Sequence, residues 1–398
     1  MSIIPASRTV TPSPLPEVAR RVERVAPFLA MDVLAAAAAK ERRGDSVVHM
    51  EVGQPSAPAP RAAREAAKAA LDAGRIGYTE ALGIAPLRER IARHCRDAYG
   101  VAVAPERVVV TTGSSAGFVL AFLTLFDAGA RVAITAPGYP AYRNILEALG
   151  IEPAVIPLSK ADGWIMTAAA IERAHAERPL HGVLAMSPAN PSGTMIGREA
   201  LAALGETCRR RGLWFVSDEI YHGLTYAESA STALASDEDA VVINSFSKYY
   251  CMTGWRIGWI VVPERLVRPV ERLAQNLYIS PPYLSQVAAL AAFDAVEELE
   301  AVKAGYARNR ALLLEELPRI GITEMHPVDG AFYIYADVAR FTNDSIGFCR
   351  RMLDEAGVAA TPGVDFDAAE GSHYLRLSFA GSEADCREAV KRLGAWLR

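Results

Sequence analysis

Seven short apolar runs, spaced by amphipathic stretches, restrict this chain more than any other feature. They fall at residues 107–112, 131–135, 154–157, 182–186, 213–217, 240–244 and 258–262. Most carry no in–out alternation, which suits strands covered on both faces. Amphipathic segments such as 117–126 and 198–211 lie between many of them. Strands alternating with helices predict an α/β fold: a mainly parallel, seven-stranded sheet flanked by helices. Beyond residue 262 the pattern changes. Residues 263–276 and 282–317 read as long helices, and 330–335 and 374–378 alternate like half-exposed antiparallel strands. These predict a second, smaller α+β layer. The helical stretch 17–43 precedes the large sheet and is expected to pack with the C-terminal part. The expected division is a tail at 1–16, a small domain from 17–50 and 281–398, and a large domain from 51–280.

Composition excludes several classes. Of 398 residues, 51% are hydrophobic, so a large core is available and global disorder is excluded. Lys and Arg total 42 against 46 Asp and Glu, a net charge of −4. That balance argues against a nucleic-acid partner bound through phosphate neutralisation. The five cysteines are scattered with no CxxC pair, and the seven histidines form no metal set. Neither a disulfide framework nor a metal site is expected, and a reducing compartment fits. The first sixteen residues lack a basic start followed by an apolar core and are broken by Pro5, Pro12, Pro14 and Pro16. They read as a flexible tail, not a signal peptide, and no run is long enough for a membrane span. The expectation is a cytoplasmic protein.

In open α/β sheets, ligands bind beyond the carboxyl ends of the strands. Those ends carry Gly113-Ser114-Ser115, Tyr139, Asn190, Asp218 with Tyr221, and Ser245-Phe246-Ser247-Lys248. A lysine after an apolar strand is expected to be partly desolvated, which lowers its pKa, and a neutral amine attacks aldehydes. Ser245 and Ser247 precede it and Arg256 follows; hydroxyls with a guanidinium make a phosphate clamp. An amine beside a phosphate clamp points to a phosphorylated aldehyde, pyridoxal 5'-phosphate being the obvious one. Taken singly, each residue has a plainer reading. Lys248 fits a surface lysine at a strand end, Asp218 a helix N-cap, and Asn190 an ordinary Pro/Gly turn.

The segment from Ser245 to Trp259 resembles the lysine signature of the class I/II pyridoxal-phosphate aminotransferases of fold type I, and the resemblance runs from about residue 22 to the C-terminus. It implies an enzyme that moves an amino group from an L-amino acid to a 2-oxo acid through a Schiff base on Lys248. A β-lyase of the same fold is the alternative. Ser217-Asp218-Glu-Ile-Tyr221 is similar to the family's D-x-x-Y element, which implies Asp218 on the pyridine nitrogen and Tyr221 on the phenolic oxygen. Ser187-Pro-Ala-Asn190-Pro-Ser-Gly-Thr194 resembles the N-P-x-N-P-T-G loop, with Asn190 the asparagine on that oxygen and near the substrate. Ser114, Ser115 and Ala116 are implied at the phosphate, with Ser245, Ser247 and Arg256. Tyr139 is implied on the ring face, and Arg376 as the clamp on the substrate carboxylate. Val52-Gly53-Gln54-Pro55 resembles the loop that places Gly53 near the substrate. Tyr78 matches the tyrosine that reaches the neighbouring subunit's phosphate, which implies a homodimer. Asp367 stands where the family's P-G-x-x-F-G stretch has its last glycine. His222, beside Tyr221, reads as a satisfied structural histidine. The substrate preference leans toward neutral or aromatic amino acids, with aspartate open.

Overall fold

The computed structural model describes residues 17–398; the expected tail at 1–16 lies outside the described residues. Its strands are β1 (Val48–His49), β2 (Val108–Thr111), β3 (Arg131–Ala136), β4 (Glu152–Pro157), β5 (Gly182–Met186), β6 (Trp214–Asp218), β7 (Val241–Ser245), β8 (Gly258–Val261), β9 (Tyr333–Asp337), β10 (Val358–Ala359), β11 (Thr361–Pro362) and β12 (Tyr374–Ser378). Seven form one sheet in the order β2-β8-β7-β6-β5-β3-β4. β8 runs antiparallel to β2 and β7, and the remaining pairs are parallel. The seven apolar runs thus form the expected sheet.

Both faces of this sheet are covered, which explains the missing alternation. Val108, Val110, Val183, Phe215, Val242 and Trp259 pack into one apolar cluster. Val109, Val132, Leu184, Val216, Val241 and Ile260 pack into another. Neighbouring residues along a strand point to opposite faces, so each strand feeds both cores. The helix Ser114–Leu125 lies against this sheet, and a Cβ built at Gly117 would come within 2.9 Å of Ile260 Cγ2. Only glycine there lets the helix seat this closely.

The smaller layer has the antiparallel order β11-β12-β9 and the parallel pair β1-β10. Its core joins Val48 and Met50 to Leu317, Ile334, Val358, Leu375 and Leu393. Ala37 packs on Leu353 and Ala359, so the N-terminal helix does meet the C-terminal part.

Two helical expectations are corrected. The stretch 17–43 is not one helix: a short 3-10 turn, Arg20–Arg24, is followed by a helix at Leu29–Glu41. Pro27 lies between them and disfavours helical backbone at the residue before it. The stretch 282–317 is two helices, Tyr283–Ala292 and Val296–Arg319. The first buries Ala288, Ala289 and Ala292 with Ala63 and Ala67 of the helix Arg61–Asp72, in the large core. It therefore does not pack in the small layer, where the division at 281 would put it.

Candidate active site

Loops at one edge of the large sheet, with β9, β12 and the start of the helix Leu29–Glu41, enclose a cleft of about 200 Å³. Lys248 sits in it, three residues beyond β7. Its Nζ donates to the Gly53 carbonyl at 2.5 Å and lies 5.7 Å from the Tyr221 ring centre. Burial, helped by Arg376 and Arg256, pushes its pKa down to about 7, although Asp218 pulls the other way. The amine is therefore available as a nucleophile near neutral pH. Gly53 has no room for a side chain, because a Cβ there would collide with the Tyr333 hydroxyl.

Asp218 ends β6 and is buried. The Tyr142 hydroxyl donates to its Oδ2, and the Ile220 N–H donates to Oδ1 at 3.0 Å. Burial pushes its pKa up to about 6, while the two donors and Lys248 hold it down. Asp218 and Lys248 thus face one cleft with pKa values drawn toward each other, a pattern typical of reactive sites. Tyr221 shares a 2.6 Å hydrogen bond with Tyr333. Tyr139 forms a wall, with its ring edge-on to Phe28 and Tyr142.

The anion-binding end is built on the helix Ser114–Leu125. Gly117 N–H is the first to reach back, to Gly113 O. The N–H groups of Ser114, Ser115 and Ala116 precede it and have no carbonyl within the helix, and the helix dipole favours an anion there. Arg256 adopts a left-handed φ of 49°, and its Nη1 donates to Thr253 O at 2.9 Å. A Cβ built at Gly113 would lie 2.6 Å from Arg256 Nη2, so glycine keeps this space open. Ser115 and Ser247 border the cleft, as does Ser114. Ser245 does not border it: its hydroxyl donates to Ile257 O at 3.0 Å and shares a 2.9 Å hydrogen bond with the Ser247 hydroxyl. It braces the loop behind Ser247. The Ala116 side chain is also outside the lining, leaving its backbone N–H as the available group.

Arg376, in β12, is only 2% exposed. Its Nη1 donates to Asn190 Oδ1 at 2.9 Å, and its Nη2 to Glu51 O at 2.5 Å and Thr361 Oγ1 at 3.2 Å. Its guanidinium carbon lies 4.4 Å from the Tyr333 ring centre and 4.8 Å from that of Phe366. The Nε is buried without a partner. A buried guanidinium facing a cleft with a donor to spare is suited to a carboxylate.

The structure therefore brings together Lys248, Asp218, Tyr221, Asn190, Tyr139, Ser114, Ser115, Ser247, Arg256, Gly53 and Arg376. Tyr78 is not among them; it is 81% exposed. Asp367 lies outside this lining, and its Oδ1 accepts from the Ala369 and Glu370 N–H groups. His222 is also off the cleft; Nδ1 is bonded to the Tyr99 hydroxyl at 2.8 Å, but Nε2 has no partner. It is thus only half satisfied. Tyr142, Tyr333, Glu51, Thr361, Phe28 and Met31 shape the site without having been singled out from the sequence.

Residues 45–393 match the family model described as aminotransferase class I and II. The valine–pyruvate aminotransferase of Mycobacterium tuberculosis is 51% identical over 94% of this chain and 97% of its own. The chain is a class I/II aminotransferase. The fold agrees: an aminotransferase from Mycobacterium tuberculosis superposes with a TM-score of 0.93 at 50% identity, over 96% of this chain and 99% of that one. The Thermus thermophilus aspartate aminotransferase with maleate superposes with a TM-score of 0.91 at 30% identity, over 96% of this chain and all of that one. This aminotransferase has the fold type I architecture, and its substrates are an amino acid and a 2-oxo acid. The relatives' names favour amino transfer over the β-lyase alternative. No helix among the described residues is long and apolar enough to cross a membrane.

Proposed function

We propose that this aminotransferase uses pyridoxal 5'-phosphate, held covalently through Lys248, to move the amino group of a neutral aliphatic amino acid such as valine to pyruvate. The observation that carries this reading is a buried amine in a cleft that Asp218 and Arg376 also line. The residues fit the cofactor: Gly113 leaves the phosphate end open, and three helix N–H groups face it. When bound, the cofactor supplies an aldehyde and a ring that takes up the electron pair released at the substrate α-carbon.

The chain's own residues do the rest. Ser114, Ser115, Ser247, Arg256 and the Ala116 N–H bind the phosphate. Asp218 holds a proton on the pyridine nitrogen, with Tyr142 orienting its carboxylate. Tyr221 and Asn190 donate to the phenolic oxygen, and Tyr139 covers the ring. Arg376 fixes the substrate carboxylate and so orients the α-hydrogen toward Lys248. The Lys248 amine would take up and return the proton of the substrate α-carbon, as the general base of the cleft. Tyr78 is assigned to the phosphate of a second copy, making the enzyme a homodimer. We place it in the cytoplasm. We also divide the chain into two domains, the smaller one built from both chain ends, with the second boundary beyond Ala292.

Two observations support a neutral donor. Phe28, Met31 and Val52 supply apolar lining. Among the described residues, the basic side chains bordering the cleft are Lys248, Arg256 and Arg376, each already given a role. A second substrate carboxylate would find no further cation among the described residues lining the cleft. The similarity to the valine–pyruvate enzyme points the same way. The test is a half-reaction: each amino acid is mixed with loaded enzyme, without an acceptor, and the cofactor spectrum is followed. Faster conversion by valine than by aspartate is expected; the reverse order would refute the preference.

A further inference from the structure

A second, larger cavity of about 570 Å³ lies behind Tyr139. It opens between β3 and the edge strand β4 of the large sheet and Tyr335 and Tyr374 of the small one. Tyr139 borders both cavities. Beside it, Gly138 N–H donates to Phe366 O at 3.0 Å and ties the two layers together.

The walls of this cavity are aromatic. His326 stacks on Trp164 with ring centres 3.8 Å apart, and Tyr335 stacks on Tyr374 at 4.8 Å. His326 also meets both tyrosines edge-on. Trp164 has φ 59°, following Gly163 at 65°. Bulky residues rarely adopt that backbone, so the surroundings fix the indole in place.

Two polar groups in the walls are unengaged. His326 is 4% exposed, and neither ring nitrogen has a hydrogen-bond partner. Burial lowers its pKa to about 4, so the ring is neutral at physiological pH and offers one donor and one acceptor. Arg143 makes no ion pair among the described residues. The other charges are mostly occupied. Asp365 accepts from the Leu29 and Ala30 N–H groups, Asp367 from Ala369 and Glu370, and Lys160 lies 3.7 Å from Glu324. Glu370 and His373 are the remaining titratable groups of the lining apart from the tyrosines.

We propose that this cavity is a second ligand site, distinct from the substrate cleft, for a planar aromatic carboxylate. Its ring packs among Trp164, Tyr335 and Tyr374, its carboxylate pairs with Arg143, and His326, stacked behind Trp164, holds that indole in the wall. Aromatic faces beside a cation without an ion-pair partner are complementary to such a molecule. The site joins both layers and shares a wall with the cleft, and it stands independently of the cofactor and donor assigned above.

The probe is indole-3-propionate, which has no α-amino or α-oxo group and so cannot enter amino transfer. It is titrated calorimetrically into the loaded enzyme and into three variants. Arg143→Gln and His326→Leu are expected to weaken binding about tenfold or more, with kcat/KM for the amino donor unchanged. Arg376→Gln is expected to leave binding intact. If Arg376→Gln abolishes binding while the other two variants retain it, the ligand occupies the substrate cleft and the proposal falls. Absence of binding at millimolar probe overturns it as well. Should His326→Leu fail to fold, Arg143→Gln, nearer the surface, decides the question alone.

Discussion

The Tyr142 hydroxyl donates to Oδ2 of Asp218, joining residues 76 positions apart inside the protein. This contact is one of two hydrogen bonds that hold the carboxylate's pKa down against the effect of burial. In Tyr142→Phe that support is lost, so Asp218 is protonated at higher pH than in the parent. The acid limb of the rate profile should move upward in pH, and kcat at neutral pH should fall by about tenfold. A profile unchanged in position would show that Tyr142 does not orient Asp218.

Lys248→Ala should abolish amino transfer and the covalent attachment of the cofactor. The loss should be about ten-thousandfold or greater, since the residue serves as both anchor and proton carrier. Mass spectrometry after borohydride reduction detects the attachment directly. An intact adduct in the variant would place the anchor elsewhere.

Lys248 has its pKa lowered from the ordinary 10.5 to about 7. The uncharged amine therefore predominates above about pH 7 and the protonated one below it. The rate at which cofactor-free enzyme takes up pyridoxal phosphate should rise through this region and level off above it. A rise continuing to pH 10 would mean the amine is not desolvated.

Arg376→Ala removes the side chain that contacts Asn190, Glu51 and Thr361 at once. KM for every amino acid should rise by roughly a hundredfold, as for other truncated buried charge contacts. Steady-state kinetics on valine, alanine and aspartate would check this. A defect confined to aspartate would reassign Arg376 to the side-chain carboxylate.

Gly53→Ala would drive a methyl group into the Tyr333 hydroxyl and so disturb its bond to Tyr221. We expect a lower melting temperature and weaker cofactor retention. Tyr333→Phe in the same background should recover part of the stability, because the clash is with the hydroxyl.

The sheet was legible because its strands carry apolar residues on both faces, as at Val108, Val109 and Val110. Lys248, Asp218 and Arg376 were read as site residues through the resemblance of their surrounding motifs; singly, each had a plainer reading, such as a surface lysine, a helix N-cap or a structural ion pair. Tyr142 was not, since its partner lies on another element and nothing in the local spacing marks the contact. Tyr333 looked like one more alternating strand residue, although it touches Tyr221 and Arg376 and limits Gly53. The break between Ala292 and Val296 was hidden as well, because neither glycine nor proline marks it.

The reversal of β8 has a consequence for how the site can vary. Strands β2 and β7 each deliver the loop at their carboxyl end to the cleft, whereas β8 delivers the loop at its amino end. The span from Phe246 to Ile257 is therefore a bridge on two fixed abutments, with the amine near one and the Arg256 guanidinium near the other. Lengthening or shortening it cannot be absorbed by sliding either strand, because both are locked in register, Ser245 against Gly258. A deletion there would change the distance between the amine proposed to anchor the cofactor and the guanidinium proposed to grip its phosphate, while leaving the sheet whole.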